Sequence, residues 1–125
     1  MYRVAIEKLF EWKESKYRKP LIIEGARQVG KTWLMKEFGR QAYEDTVYIN
    51  FDSNSRMSQL FASDLDITRL TMGLELYCGH KINPSNTLLI FDEIQEVPRA
   101  LTSLKYFCED APQYHIICAG SLLGI

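Results

Sequence analysis

Residues 25–32 combine glycines, a lysine and a hydroxyl group in a spacing suited to holding phosphate groups. The segment reads Gly25-Ala26-Arg27-Gln28-Val29-Gly30-Lys31-Thr32. Glycine lets the backbone curl so that successive N–H groups point inward at phosphate oxygens. The lysine can reach the terminal phosphates of a nucleotide, and the threonine hydroxyl can bind a magnesium ion. The pattern is G-x-x-x-x-G-K-S/T, that of a P-loop, and an ordinary glycine loop is the alternative interpretation.

The neighbouring segments support the first interpretation. The apolar run Leu21-Ile22-Ile23 precedes the loop and predicts a strand, and residues 31–43 have the spacing of a helix. In this strand–loop–helix context, the positive end of the helix dipole would face the phosphates. We therefore predict a nucleotide-binding segment made of Gly25, Ala26, Arg27, Gln28, Val29, Gly30, Lys31, Thr32 and Trp33. Arg27 could contact phosphate or a partner, or point into solvent.

A second segment carries two acids directly after an apolar run. Leu88-Leu89-Ile90-Phe91 suits a strand buried on both faces of a parallel sheet, and Asp92 and Glu93 follow it. This resembles a Walker B element, in which the first acid orients the magnesium shell and the second activates a water. The alternative is a core strand that ends in a solvated acidic turn. We predict Thr32 and Asp92 as metal-binding residues, and Glu93 and Lys31 as catalytic residues.

The bulk composition excludes several classes of protein. The chain has 125 residues, enough for one domain, and its 15 basic and 16 acidic side chains give a net charge of −1. This balance gives no global electrostatic case for binding nucleic acid. The three cysteines form no CxxC pair, which favours a reduced, cytoplasmic chain. No apolar run approaches the ~18 residues of a membrane-spanning helix, so we expect no membrane association.

The hydrophobic pattern predicts alternating helices and strands. Helices are predicted over residues 2–16, 31–43, 64–78 and 98–108, and strands over 21–23, 46–51, 88–91 and 114–119, while residues 52–63 look irregular. Leu76 is expected in the core and Trp33 under cover. This alternation predicts an α/β fold, a parallel three-layer α/β/α sandwich with right-handed crossovers.

With both motifs and the tail Ala119-Gly120-Ser121-Leu122-Leu123, the chain resembles a predicted bacterial or archaeal ATPase of the AAA+ superfamily. The similarity is to the group whose P-loop reads Gly-Ala-Arg-Gln-Val-Gly-Lys-Thr and whose Walker B reads Asp-Glu-Ile-Gln, here Asp92-Glu93-Ile94-Gln95. The resemblance implies strand order 5-1-4-3-2, followed by a lid and commonly a further domain. With four strands counted, we interpret residues 1–125 as the amino-terminal part of an ATPase core, truncated after the fourth strand. A self-contained variant that dimerises through the open sheet edge is the alternative.

The resemblance also implies roles for two polar residues. Asn50 stands where the superfamily places a residue that holds the catalytic glutamate in check, although it could simply close a strand. Ser121 stands near the sensor position, where a polar side chain contacts the terminal phosphate or the attacking water, although it could be a loop serine. Both are predicted as catalytic residues on this basis.

These features predict ATP binding with Mg²⁺, and ATP hydrolysis in the complete protein. A regulatory nucleotide-binding module without significant turnover is one alternative, and a small-molecule kinase is another. A GTPase is disfavoured because no Asn/Thr-Lys-x-Asp segment occurs. No arginine can be assigned as an arginine finger. Arg99 is the nearest candidate after Asp92, but its spacing does not support it, so we expect a homo-oligomer or a partner domain to supply that group.

Overall fold

The computed structural model describes residues 2–24 and 29–121, without the side chains of Tyr2 and Val29. Within these ranges the chain alternates helices and strands, with one short 3₁₀ helix. The elements are α1 (Tyr2–Glu14), β1 (Leu21–Glu24), α2 (Val29–Ala42), β2 (Asp45–Asn50), α3 (Ser55–Ala62), α4 (Ile67–Cys78), β3 (Thr87–Asp92), the 3₁₀ helix (Ile94–Glu96), α5 (Pro98–Asp110) and β4 (His115–Gly120). None of the described helices has the length and apolar character needed to cross a membrane.

The strands form one parallel sheet in the order β1-β4-β3-β2. The predicted α/β fold is confirmed, and the order of the described strands is the one implied by the resemblance, without its fifth strand. All of β3 is buried, which explains its continuous apolar sequence. Because parallel strands end at the same edge, the register places Asn50 opposite Asp92, Asp92 opposite Ala119, and Gly120 opposite Glu24.

Helices cover both faces of the sheet. On one face, α1 and α2 pack through Leu9, Met35 and Phe38 against residues such as Ile90 of β3. On the other face, α3, α4 and α5 pack against the alternate residues of the same strands through Met57, Phe61, Leu70, Leu74, Leu104 and Phe107. The sheet is therefore a buried central layer, and the helices packed on both faces fix the position of its carboxyl edge.

Three details differ from the sequence-based expectations. The segment predicted as irregular contains α3 at residues 55–62. This helix forms because Asn54 caps it and because Met57 and Phe61, one turn apart, are both buried. Leu76 is 79% exposed, since α4 already buries Leu70 and Leu74 on its other side. Trp33 is 50% exposed rather than covered.

Candidate functional site

Most of the described site residues predicted from the sequence lie at the carboxyl edge of the sheet. Asp92 is the last residue of β3, and Glu93 follows it directly. Lys31 and Thr32 lie in the first turn of α2, which begins at Val29, shortly after β1 ends. Asn50 ends β2 and Ser121 follows β4. The fold thus brings Lys31, Thr32, Asn50, Asp92, Glu93 and Ser121 to one edge, although they are scattered along the chain.

A hydrogen bond joins the predicted metal-binding residues. The Thr32 hydroxyl donates to Asp92 Oδ2 at 2.7 Å. Asp92 is 4% exposed, and its Oδ1 accepts the main-chain N–H of Glu93 at 3.0 Å. A hydroxyl beside a carboxylate offers the hard oxygen ligands that Mg²⁺ prefers.

This donor set fits a magnesium ion that is shared with a nucleotide. Among the described residues, no group of three His, Cys, Asp or Glu side chains could hold a metal. Mg²⁺ at phosphate sites takes one or two protein oxygens and fills its remaining positions with phosphate oxygens and waters. Thr32 and Asp92 match that requirement, whereas an all-protein metal cage is not formed by the described side chains.

Tyr48 belongs to the same cluster and was not identified from the sequence. Its hydroxyl donates to Asp92 Oδ2 at 2.7 Å, and the Lys36 ammonium lies 4.1 Å from the centre of its ring. Burial, and then the hydrogen bond and charge of Asp92, raise the pKa of Tyr48, so the phenol remains a donor. Within an apolar strand Tyr48 resembles a core residue. The signal available was that a partly buried tyrosine hydroxyl requires a partner.

Glu93 has an unusual backbone conformation. Its φ of 53° and ψ of 43° lie in the left-handed region, which costs a residue with a Cβ about 1 kcal/mol. The Gln95 side-chain amide donates to Glu93 Oε1 at 2.8 Å. Strained conformations of this kind often occur at functional sites, where the surrounding structure maintains them.

Asn50 and Ser121 have the locations expected from the resemblance, but their roles stay predictions. Asn50 is exposed, and its Oδ1 accepts the N–H of Asp52 at 2.8 Å in the turn after β2. Ser121 is half-buried beside Gly120. One contact of the Glu93 side chain is the hydrogen bond from Gln95, a residue that stands out in the sequence only as the last member of the Asp-Glu-Ile-Gln motif.

Part of the predicted nucleotide-binding segment lies outside the described residues. This applies to Gly25, Ala26, Arg27 and Gln28, and to the side chain of Val29. Gly30 is half-buried in α2. Trp33 lines a cavity of about 470 Å³ between α1 and α2, together with Phe10 and Glu37. The binding roles of these residues stay predictions.

Arg99 has a role in the fold. Its guanidinium donates to the main-chain oxygens of Phe61 at 3.0 Å and Ser63 at 2.6 Å, at the carboxyl end of α3. Carbonyls at a helix end lack partners within the helix, so this arginine satisfies them. The contacts explain Arg99 without a catalytic role.

The comparison with protein families agrees with this geometry. No curated protein matches the chain closely enough to count as a relative. A family model described as an AAA domain matches residues 17–125, which include the whole sheet and all predicted site residues and exclude α1. The match agrees with the parallel sheet and with the hydrogen bond between Thr32 of α2 and Asp92 of β3. The chain therefore belongs to the AAA domain family of nucleotide-binding P-loop domains.

Proposed function

We propose that this domain binds ATP together with Mg²⁺ and, in the complete protein, hydrolyses the β–γ bond. The observation that carries the proposal is the 2.7 Å hydrogen bond between the Thr32 hydroxyl and the buried Asp92 carboxylate. It joins the start of α2 to the end of β3, the two places where the sequence predicts phosphate and metal binding. Phosphoryl transfer depends on positioning and on charge neutralisation, which these residues are suited to supply.

Each residue has a distinct role in this proposal. Main-chain amides of residues 26–31 hold phosphate oxygens, and the Lys31 ammonium neutralises charge on the terminal phosphates. Thr32 and Asp92 would hold Mg²⁺, which would supply further positive charge to neutralise the phosphates. Glu93 accepts a proton from the water that attacks the γ-phosphorus. The bond from this phosphorus to the bridging oxygen breaks, its electron pair leaves with ADP, and the proton is passed on to the released phosphate.

Titration of the protein with ATP tests the binding step. Charge-assisted hydrogen bonds contribute about 1.5–3 kcal/mol, so Lys31→Ala should weaken ATP binding about 10- to 100-fold. Asp92→Asn should give nucleotide binding that no longer responds to EDTA, because the metal ligand has lost its charge. An unchanged dissociation constant for Lys31→Ala would contradict the proposed phosphate site, and tighter binding of GTP than of ATP would contradict the nucleotide preference.

Turnover of the full-length protein tests the hydrolysis step. Glu93→Gln should retain ATP binding and lose release of inorganic phosphate. If neither the wild type nor this variant turns over, the domain is instead a regulatory nucleotide-binding module. Transfer of the phosphate to a small molecule rather than to water would favour the kinase alternative, although an acid beside Asp92 suits water as the nucleophile.

We also propose that a neighbouring subunit or a partner domain supplies the arginine finger. Several arginines of this chain bind partners within the subunit: Arg18, Arg40, Arg56, Arg69 and Arg99. An arginine finger increases phosphoryl transfer about 10³- to 10⁵-fold, so its source strongly affects turnover. The isolated domain should therefore bind ATP and turn it over slowly.

A further inference from the structure

The side-chain amide of Gln95 connects Glu93 to the end of β4. Gln95 lies in the 3₁₀ helix that follows β3. Its Nε2 donates to Glu93 Oε1 at 2.8 Å and has a longer contact of 3.3 Å with Glu96 Oε2. Two carboxylates around one end of an amide identify that end as the NH₂ group, because a carbonyl oxygen there would be repelled. The orientation of the Gln95 amide is therefore fixed.

The other end of this amide is buried against β4. Gln95 Oε1 is inaccessible to solvent and accepts no hydrogen bond from the residues that the structure describes. A Cβ at Gly120 would overlap this oxygen and would lie 3.4 Å from the main-chain nitrogen of Ile94. A buried acceptor without a donor destabilises a fold, so packing alone does not explain a glutamine here. A leucine could fill similar space without this penalty.

We infer that Gln95 is a positioning residue that holds the Glu93 carboxylate in its place for hydrolysis. The inference rests on the proposed function. Glu93 is fixed at its backbone by the left-handed conformation and at Oε1 by Gln95, while Gly120 leaves room for the amide. Because Gly120 lies directly against the Gln95 amide, a displacement of this strand end, which leads into Ser121, would press on Gln95 and move the carboxylate of Glu93.

Steady-state kinetics of full-length Gln95→Leu test this inference. Leucine retains apolar volume and removes the donor to Glu93. A small misplacement of a catalytic group lowers rates up to about 100-fold, so kcat should fall about 10- to 100-fold while the ATP dissociation constant changes less than about twofold. The matched control is Glu96→Ala, which removes the longer contact of the same amide and should leave kcat unchanged. An unchanged or increased kcat for Gln95→Leu would overturn the inference, as would equal losses in kcat and affinity.

A double-mutant cycle tests the connection to β4. Gly120→Ala should lower kcat, because the added methyl group displaces Gln95. In a Gln95→Ala background the same change should have no further effect on kcat, since the crowded side chain is gone. Thermal unfolding of each variant identifies losses due to misfolding. Additive losses in kcat would show that Gly120 acts independently of Gln95 and would overturn the connection.

The wild-type measurement separates failure of this inference from failure of the proposed function. If the wild type hydrolyses ATP, Glu93→Gln abolishes turnover and Gln95→Leu does not affect it, only the inference is wrong. If the wild type binds ATP without any turnover, the hydrolytic function is wrong and the inference is wrong with it.

Discussion

Asp92 is a buried carboxylate whose two oxygens accept hydrogen bonds from two other elements and from the next residue in the chain. Thr32 of α2 and Tyr48 of β2 share Oδ2, while the N–H of Glu93 donates to Oδ1. Burial of a carboxylate is unfavourable unless its oxygens are hydrogen-bonded. These donors therefore stabilise Asp92 in one orientation.

Tyr48→Phe should destabilise the fold and weaken magnesium-dependent ATP binding. The change removes one donor to a buried oxygen, which costs about 1–2 kcal/mol, while the ring and its contact with Lys36 remain. Urea unfolding measures the first effect, and ATP titration at several magnesium concentrations measures the second. Tyr17→Phe is the control, since Tyr17 is 85% exposed. Equal stability of the two variants would contradict the role given to Tyr48.

Individual site residues could be predicted from the sequence where the flanking segments of the chain determine their position. Lys31 and Thr32 follow a glycine loop, and Asp92 and Glu93 follow an apolar strand, so their joint position could be predicted from parallel strand geometry. Tyr48 and Gln95 depend on contacts across strands. The left-handed conformation of Glu93 has no local sequence signal, because glycine would be the usual residue there.

Among the elements, α3 shows why a short helix was missed. It has eight residues, and its polar side chains conceal the single pair of buried positions, Met57 and Phe61. The long helices and the buried strands have repeated apolar spacing over several turns or residues, and they were predicted with small errors at their ends. Asn54 lies in the segment predicted as irregular, yet its side chain accepts the N–H of Met57 at 3.1 Å.

Asn54→Ala should lower the free energy of unfolding by about 1–2 kcal/mol, because a helix cap typically contributes about 1 kcal/mol. The side chain also donates to the main-chain oxygen of Asn50 at 2.9 Å and to the Tyr77 hydroxyl at 3.1 Å. Chemical denaturation measures the change, with the exposed Ser55→Ala as control. A loss no larger than that of the control would show that α3 does not depend on this cap.

Helix α1 lies outside the family match and is attached to the core by side chains at its carboxyl end. Lys13 Nζ donates to the main-chain oxygen of Ala42 at 2.7 Å, and Trp12 stacks edge-on against His115. The Tyr43 hydroxyl is hydrogen-bonded to His115 Nδ1. Burial, and then the charges of Arg18 and Lys13, lower the pKa of His115 to about 4.

This cluster should make the fold less stable in mild acid. The folded state holds His115 neutral, while the unfolded chain binds a proton below pH about 6.5. The contribution of neutral His115 to the free energy of unfolding is therefore fully present above pH 6.5 and is lost as the pH decreases toward 4. The loss should be about 1 kcal/mol, because the ring is only partly buried. Unfolding measured between pH 4 and 7.5 should show this slope, and His115→Gln should reduce it. If His115→Gln leaves the pH dependence of the free energy of unfolding unchanged, other titrating groups cause the loss of stability in acid.

For the whole molecule, the order of the described strands leaves β1 and β2 at the two edges of the sheet. Several arginines form hydrogen bonds within the same subunit. The strand order was implied by the resemblance to the AAA+ superfamily, whereas right-handed crossovers are expected of any parallel strands joined by helices. The proposed assembly has no such signal, since an arginine finger supplied by a second subunit would leave no local pattern in the sequence.

Turnover per subunit should therefore rise with protein concentration. If a second subunit completes the site, the rate per subunit should increase more than about tenfold across the range in which the protein assembles, because the added arginine stabilises the transition state. ATPase assays over a dilution series, with light scattering at each concentration, measure this. A constant rate per subunit together with a change in assembly state would contradict a finger supplied by another copy.

The complete burial of β3 has a consequence for local unfolding. Each of its residues from Thr87 to Asp92 is enclosed by two neighbouring strands and by helices on both faces. Partial opening of the domain begins where protection is lowest, at helix ends and edge strands, and reaches the central strand last. Asp92 is thus attached to the part of the molecule that fluctuates least, so the proposed magnesium ion would meet a carboxylate whose backbone is already held in position.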